Sequence, residues 1–249
     1  MSTSYSLVLA TRNISSLATS KTGVPVMPIS GTTSVQSTSL LARSLAELNR
    51  PPTVLVSASA VGFYGDRGDE ELTEASGPGS GFLAELCRAW EDATGRATQA
   101  GIRVVHLRSG VVLSTHGGAL ARQLPLFRVG VGGKLGSGRQ WLSWISLPDE
   151  VGAVLRALDD PSMEGPVNAT APTPVTNRDF TGALGRALHR PAVLAVPGFA
   201  LRVALGSDLA SEMVLAGQRV LPAKLNASGY LFDHADIDTA LAALLASGA

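Results

Sequence analysis

Apolar and polar positions follow two different periods along this chain, one typical of buried strands and one typical of amphipathic helices. Short apolar runs at 54–56 and 102–107 predict buried strands. Helical spacing begins near Ser34, ends before the prolines at 51 and 52, and returns over residues 82–99. A helix followed by a strand, twice over with short connections, is typical of a parallel sheet with crossover helices. The pattern therefore predicts an α/β fold.

The remaining pattern divides the chain into three units. Residues 11–33 are rich in Ser, Thr, Gly and Pro and have little apolar period, which predicts loop or disorder after a candidate strand at 5–10. The other predicted elements are helices at 117–129, 148–158 and 177–188 (capped by Thr176 or Asn177), a strand at 165–169, short helical pieces at 199–205 and 208–216, and a last helix from Asp236. We expect an irregular segment over 1–33, an α/β domain over 34–195 and an appended domain over 196–249.

Composition excludes some classes of partner. Among 249 residues, 20 basic and 20 acidic side chains cancel, so no overall field favours nucleic acid or an anionic membrane. The single Cys87 rules out an intramolecular disulfide framework, which suits a reducing compartment and predicts a cytoplasmic protein. The Ser/Thr-rich start of the chain, without acids before Glu47, is shared with organelle transit peptides, but prolines at 25 and 28 interrupt any amphipathic helix there.

Three hydroxyl residues follow the first buried run. Ser57, Ser59 and Tyr64 come where that strand gives way to the next segment. In open α/β sheets, ligands bind in the crevice outside the carboxyl ends of the strands. A catalytic role for these residues therefore stands beside ordinary turn chemistry, which also favours small hydroxyl residues.

A series of motifs from about residue 34 to the end resembles one known family. The motifs are SASAVGFYG at 57–65, FLAELCRAWE at 82–91, HLRSGVVLS at 106–114, GSGRQWLSWISLPDEVGAVL at 136–155, GPVNATAPTPVTNRDFTGALGRALHRP at 165–191 and RVLPAKLNASGYLF at 219–232. In this order they resemble the atypical NAD-dependent epimerase/dehydratase family of extended short-chain dehydrogenases, whose members carry an extra C-terminal domain of unknown function.

The resemblance implies a Rossmann-like domain that binds NAD or NADP, with a small-molecule substrate held between that domain and the C-terminal part. It assigns catalytic roles to Ser59 and Tyr64. Candidate residues near the cofactor are Ser57, Arg108, Gly110 and Val111, and candidate residues near the substrate are Arg139 and Asn168. A surface role for Arg139 stays open, as does a purely structural one for Asn168. No His or Cys has a partner at metal spacing, so no metal site is predicted.

Two departures from the family pattern bear on activity. The chain has no Gly-x-x-Gly-x-x-Gly turn between an early strand and a helix, where its glycines would let the backbone approach a pyrophosphate. Its glycine-rich run at 130–138 follows a helix late in the chain and is predicted to be a loop. The helix at 82–99 also lacks the Tyr-x-x-x-Lys pair that handles the proton in typical short-chain dehydrogenases. We therefore expect an incomplete Rossmann-like sheet that lacks early strands, with weak or absent cofactor binding.

These departures leave alternative functions open. One is a truncated NAD(P)-dependent oxidoreductase of epimerase/dehydratase type, whose intact relatives act on a nucleotide-sugar-like or small carbonyl or hydroxyl substrate. The other is a pseudoenzyme or interaction module without cofactor binding. A homo-oligomer is a candidate assembly, because an apolar sheet edge cut at this point would need a partner to cover it. A misread start or frame over residues 1–33 is a third explanation of the departures.

Overall fold

The computed structural model describes residues 6–9, 29–199 and 216–247. Its strands are β1 Ser6–Leu9, β2 Val54–Ala60, β3 Glu71–Leu72, β4 Arg103–Ser109, β5 Val111–Leu113, β6 Gly133–Leu135, β7 Trp141–Leu142, β8 Trp144–Ser146, β9 Gly165–Ala169, β10 Val175–Thr176, β11 Leu194–Val196 and β12 Arg219–Val220. Its helices are α1 Ile29–Ala46, α2 Phe82–Asp92, α3 Gly95–Gln99, α4 Gly118–Arg128, α5 Leu147–Asp159, α6 Asn177–Leu188, α7 Ala223–Ala227 and α8 Ile237–Ser247. None of these helices is both long and apolar enough to cross a membrane.

The central feature is a four-stranded sheet in the order β1-β2-β4-β9, in which every neighbouring pair is parallel. Parallel strands need crossover helices and are buried on both faces, which explains their nearly continuous apolar sequences. On one face Val56 and Leu107 pack with Ala153 of α5. On the other face Leu55 and Val104 pack against α1 and α3. The predicted α/β class with a Rossmann-like parallel sheet is confirmed.

Several elements differ from their predicted bounds. β2 continues through Ser57 and Ser59 to Ala60, and a 3₁₀ turn, Val61–Tyr64, follows it. Ser57 and Ser59 are therefore strand residues whose direction the sheet fixes, rather than residues of a loop. The helix predicted over 82–99 breaks into α2 and α3, and α1 begins at Ile29, before the predicted start.

Further predictions concern the glycine-rich run, the segments outside the described residues, and the division of the chain into units. The glycine-rich run at 130–138, predicted to be a loop, contains β6, which pairs in parallel with β11. The predicted loop or disorder over 11–33 is wrong for residues 29–33, which belong to α1, and its earlier part lies outside the described residues. The helical pieces predicted at 199–205 and 208–216 lie outside the described residues except at 199 and 216. The division into three units at residues 34 and 196 stays a prediction.

One buried carboxylate fastens the C-terminal region to the sheet domain. Asp149 is 1% exposed, and its Oδ1 and Oδ2 atoms accept the backbone N–H groups of Asp233 (2.7 Å) and His234 (3.1 Å). Asp149 lies in the first turn of α5, and the capping residue of that helix is Ser146, whose Oγ accepts the Asp149 N–H and donates to Asp149 Oδ2. Asp149 therefore joins two parts of the chain that are more than eighty positions apart.

Tyr230 reinforces this junction. Its hydroxyl donates to the Asp149 carbonyl at 3.1 Å, and its ring packs edge-on against Phe232. Burial, followed by the nearby charge of Asp149, raises the pKa of Tyr230 to about 12, so the hydroxyl stays protonated and can donate. A Cβ at Gly152 would lie 2.1 Å from the Tyr230 hydroxyl oxygen, so α5 needs a glycine at this position.

We expect Gly152→Ala to push Tyr230 off α5 and to lower the free energy of unfolding by about 1–3 kcal/mol, the range for overpacked sites. Gly95→Ala is the matched control, because the Cβ it adds within α3 meets nothing within 4 Å. Urea denaturation followed by circular dichroism measures both variants. Equal midpoints for the two variants would contradict the proposed contact.

Candidate active site

The candidate site lies at the carboxyl ends of β2 and β4, beneath α2. Neighbouring residues in register on parallel strands point to the same face of a sheet. Ser57 pairs with His106, and Ser59 pairs with Arg108. This face therefore presents four polar side chains toward α2, where an apolar layer would be expected.

Glu91 of α2 is the centre of the network that satisfies two of them, Ser59 and Arg108. Its carboxylate accepts two hydrogen bonds from Arg108, from Nε to Oε1 at 2.8 Å and from Nη2 to Oε2 at 2.9 Å. Ser59 Oγ donates to the same Oε1 atom at 2.7 Å. Arg108 is only 4% exposed, so this fork-shaped pair holds an arginine charge that water scarcely reaches.

Tyr64 extends the network across the sheet. Arg108 Nη1 donates to the Tyr64 hydroxyl at 3.0 Å, and that hydroxyl donates to Asn168 Oδ1 at 2.7 Å. Asn168 in turn donates through Nδ2 to the carbonyl of Leu221 in the C-terminal region at 3.0 Å. Ser59, Tyr64, Arg108 and Asn168 therefore belong to one chain of hydrogen bonds that crosses from α2 to the C-terminal region.

The electrostatics of this network follow from its burial. Burial raises the pKa of the Tyr64 hydroxyl, although the charge of Arg108 acts in the opposite direction. Burial is the largest single effect on the pKa of Arg108 and lowers it, but the hydrogen bonds and electrostatic interactions with Glu91 and Tyr64 together outweigh burial and raise this pKa. The Arg108 guanidinium lies 3.4 Å from the centre of the Phe63 ring, a further favourable contact for the cation. The resting network thus contains a neutral phenol beside a permanently charged guanidinium.

Two further side chains near the site, His106 on β4 and Cys87 on α2, have structural roles. His106 Nε2 lies 2.9 Å from Thr94 Oγ1, and burial lowers the pKa of His106. Burial raises the pKa of the Cys87 thiol to about 12, so Cys87 is an unreactive core residue. Within the described ranges, no three His, Cys, Asp or Glu residues converge as a metal site would require.

The residues predicted to lie near the cofactor, other than Arg108, do not belong to the Tyr64 network. Ser57 Oγ is buried without a hydrogen-bond partner in the described part of the chain. A Cβ at Gly110 would lie 2.5 Å from the Ser143 carbonyl, and Val111 donates its N–H to that carbonyl at 2.8 Å. Gly110 and Val111 therefore hold two chain segments closely together at the edge of the site.

Arg139, predicted on the substrate side, is exposed and lies in a separate cleft. This cleft has a volume of about 230 Å³ and includes Asp66, Asp69 and Trp141. The structure therefore does not bring Arg139 into the Tyr64 network.

Sequence reasoning missed Glu91, which joins two of the predicted candidates, Ser59 and Arg108. A signal was present: Ala84, Cys87 and Glu91 recur at helical spacing, so an acid shares the buried face of α2 with two small residues. It also missed Glu150, whose Oε1 accepts from Ser109 Oγ at 2.6 Å. The other oxygen, Oε2, is buried with no partner among the described residues, and burial raises the pKa of Glu150 to about 7.

The described residues do not fit a whole dinucleotide. The orphaned Ser57 hydroxyl could receive one polar group of a ligand, but no described strand of the central sheet runs into a Gly-x-x-Gly-x-x-Gly turn that would cradle a pyrophosphate. Arg108, the buried cation of the site, is already neutralised by Glu91.

A parallel sheet with crossover helices, and a polar site at its carboxyl edge, define a Rossmann-like α/β protein of the kind that carries nucleotide-dependent enzymes. Comparison with known proteins shows to which family within this class the chain is similar. Residues 196–244 match the model of a domain of unknown function, DUF1731. The crystal structure of human epimerase family protein SDR39U1 (isoform 2) with NADPH superposes with a TM-score of 0.82 at 33% identity, over 86% of this chain and 72% of that one.

Curated relatives agree with this match. Epimerase family protein YfhF of Bacillus subtilis (strain 168) is 37% identical over 85% of this chain and 69% of its own length. Epimerase family protein MT2273 of Mycobacterium tuberculosis (strain CDC 1551 / Oshkosh) is 52% identical over 75% of this chain, and the match spans 62% of that relative. The chain belongs to the epimerase family whose members resemble SDR39U1, and it carries the DUF1731 domain.

We expect Glu91→Gln to lower the free energy of unfolding by about 3 kcal/mol, because removal of one partner leaves the buried Arg108 charge uncompensated. Glu85→Gln is the matched control on the same helix, since Glu85 is exposed. Thermal and urea unfolding of the two variants check this expectation. A Glu91 variant as stable as the control would show that the pair contributes nothing net.

The Glu150 carboxyl makes stability depend on pH. Its pKa is about 7 in the folded protein and near 4.5 when unfolded, so between these values only the folded state holds the proton. The free energy of unfolding should therefore fall as pH rises from about 4.5 to 7, by about 3 kcal/mol. Glu150→Gln should flatten this part of the profile, as measured by urea titrations at several pH values. The same slope in the variant would contradict the assignment.

Proposed function

We propose that this chain carries the substrate half of the active site of an NAD(P)-dependent oxidoreductase of epimerase/dehydratase type. The substrate would be nucleotide-sugar-like or another small carbonyl or hydroxyl compound. The proposal is supported by membership of the epimerase family and, above all, by the network that joins Ser59, Tyr64 and Asn168 at the carboxyl edge of the sheet. We place this activity in the cytoplasm, as the single cysteine suggests.

In this proposal Ser59 orients or polarises the substrate oxygen, and Tyr64 is the nearest proton donor. Arg108 supplies a cation next to the Tyr64 hydroxyl, which is the electrostatic role that a lysine has in the usual Tyr-x-x-x-Lys pair. Asn168 would face the substrate from β9. Ser57, Gly110 and Val111 would lie toward the nicotinamide, the group that supplies hydride chemistry when it is bound.

One specific observation favours a second candidate function. Tyr64 is fully buried, and its hydroxyl already has both a donor and an acceptor partner within the protein. A phenol satisfied in this way is typical of a structural residue. A pseudoenzyme that keeps the fold for binding a partner, a second copy included, therefore stays as the alternative.

Cofactor binding is the first test. We expect the chain to bind NADPH more weakly than the micromolar range in a fluorescence titration, because no described strand of the central sheet leads into a Gly-x-x-Gly-x-x-Gly turn for the pyrophosphate. Micromolar affinity would contradict this expectation.

Turnover separates the two functions. With NADPH in large excess, we expect oxidation of the cofactor by a keto-sugar nucleotide or another small ketone, and a loss of about 100-fold or more in Ser59→Ala and Tyr64→Phe. Ser44→Ala, at an exposed position of α1, is the control. Absence of turnover in the folded wild-type chain, or equal rates in all variants, would favour the pseudoenzyme.

A further inference from the structure

A cleft next to the candidate site has the chemistry of a small-ligand site. Its lining comes from three distant parts of the chain: the segment after Tyr64, the end of the glycine-rich run, and the segment before β12. The lining residues are Asp66, Gly68, Asp69, Ser137, Arg139, Gln140, Trp141 and Gly217. Because three segments that are distant in sequence form this cleft, its shape is fixed by the tertiary fold and not by the conformation of a single loop.

The Trp141 ring is fixed in this cleft from two sides. Its Nε1 atom donates to Asp69 Oδ1 at 2.7 Å. The Arg219 guanidinium lies 4.7 Å from the ring centre and is itself paired with Glu71 at 2.9 Å. The indole is therefore a preorganised flat wall that loses little freedom when a ligand binds.

The other walls are held as closely. A Cβ at Gly217 would lie 2.5 Å from the backbone nitrogen of Trp141, so only glycine lets the C-terminal segment approach this closely and form the wall of the cleft. The Gly217 N–H points to Asp66 Oδ1 at 3.4 Å, which ties the same segment to the other wall.

The polar groups of the cleft have unused capacity. Arg139 is exposed, and no described residue pairs with its guanidinium. Asp69 uses one carboxylate oxygen to hold Trp141, and the other oxygen has no partner among the described residues. A guanidinium recognises a phosphate or carboxylate through two parallel hydrogen bonds, whereas carboxylates accept hydrogen bonds from hydroxyl groups. The matching ligand carries one anionic group and several hydroxyls.

Size restricts the ligand further. The volume of about 230 Å³ lies below the range of about 300–1,000 Å³ typical of sites for larger ligands. A second cavity of about 230 Å³ shares Asp66 with the cleft and lies over the 3₁₀ turn that carries Tyr64. The cleft therefore matches a single sugar ring in size, and the second cavity leaves room for the other end of that ligand beside Gly62 and Gly65.

We propose that the Arg139–Asp69–Trp141 cleft binds a monosaccharide-sized polyol with one anionic substituent, and that Arg139 pairs with the anionic group. This inference rests on the proposed function, since it names the substrate class of the same crevice, and it replaces a nucleotide-linked sugar with a free anionic sugar.

Binding can be measured on the whole chain without any dinucleotide, by isothermal titration and by the change in tryptophan fluorescence, to which Trp141 contributes. The probes are glucose 1-phosphate, glucuronate, neutral glucose, UDP and inorganic phosphate. We expect glucose 1-phosphate or glucuronate to bind at least tenfold more tightly than glucose, UDP and phosphate. The two anionic sugars distinguish a phosphate ligand from a carboxylate ligand.

Variants assign the binding to the cleft. Arg139→Ala should weaken the anionic sugar at least tenfold, while Arg122→Ala, which removes an exposed arginine on α4, should leave it unchanged. UDP binding as tight as that of the sugars, no preference for anionic sugars, no binding of any probe, or no effect of Arg139→Ala would each overturn the proposal. None of the probes requires turnover. If the chain oxidises NADPH but binds none of the probes, this inference is overturned and the proposed function is not.

Discussion

The buried ion pair between Glu91 and Arg108 is the constraint on which the arrangement of the site depends. Two charges away from water are tolerated only when geometry and further hydrogen bonds compensate them, and here Ser59 and Tyr64 supply those bonds. The pair therefore fixes α2 over the ends of β2 and β4. The same contacts that could orient a substrate also hold the sheet and the helix together.

Elements with a continuous strand-like or helix-like spacing of apolar residues could be predicted from the sequence. β2, β4 and β9, together with α4, α5 and α6, lie within a few residues of their predicted places because their apolar spacing is continuous. Contacts between elements could not be predicted in the same way. Glu91 reaches Arg108 only because α2 crosses above β4, and helical spacing says nothing about what lies opposite an acid. The break between α2 and α3 and the short strand β6 escaped for the same reason, because partners elsewhere decide them.

The C-terminal region is joined to the rest by polar contacts at both sides of the sheet end. Asp149 holds the backbone of Asp233 and His234, while Asn168 and Ser143 bond to backbone groups of residues 218–221. Hydrogen bonds of this kind fix orientation more strictly than apolar packing does. The domain of unknown function thus helps to shape the crevice, and its segment around Gly217 forms a wall of the cleft beside Trp141.

The carboxylate of Glu74 has a consequence for the order in which the protein can assemble. Its Oε1 atom accepts the N–H of Asn168 and the N–H of Lys224, which follow it by 94 and 150 positions, and β3 beside it pairs with β12. A ribosome adds about 5–20 residues each second. The segment that carries Glu74 therefore cannot complete its contacts until residues 168 and 224 have been synthesised. The crevice is thus completed well after its first strand has been made.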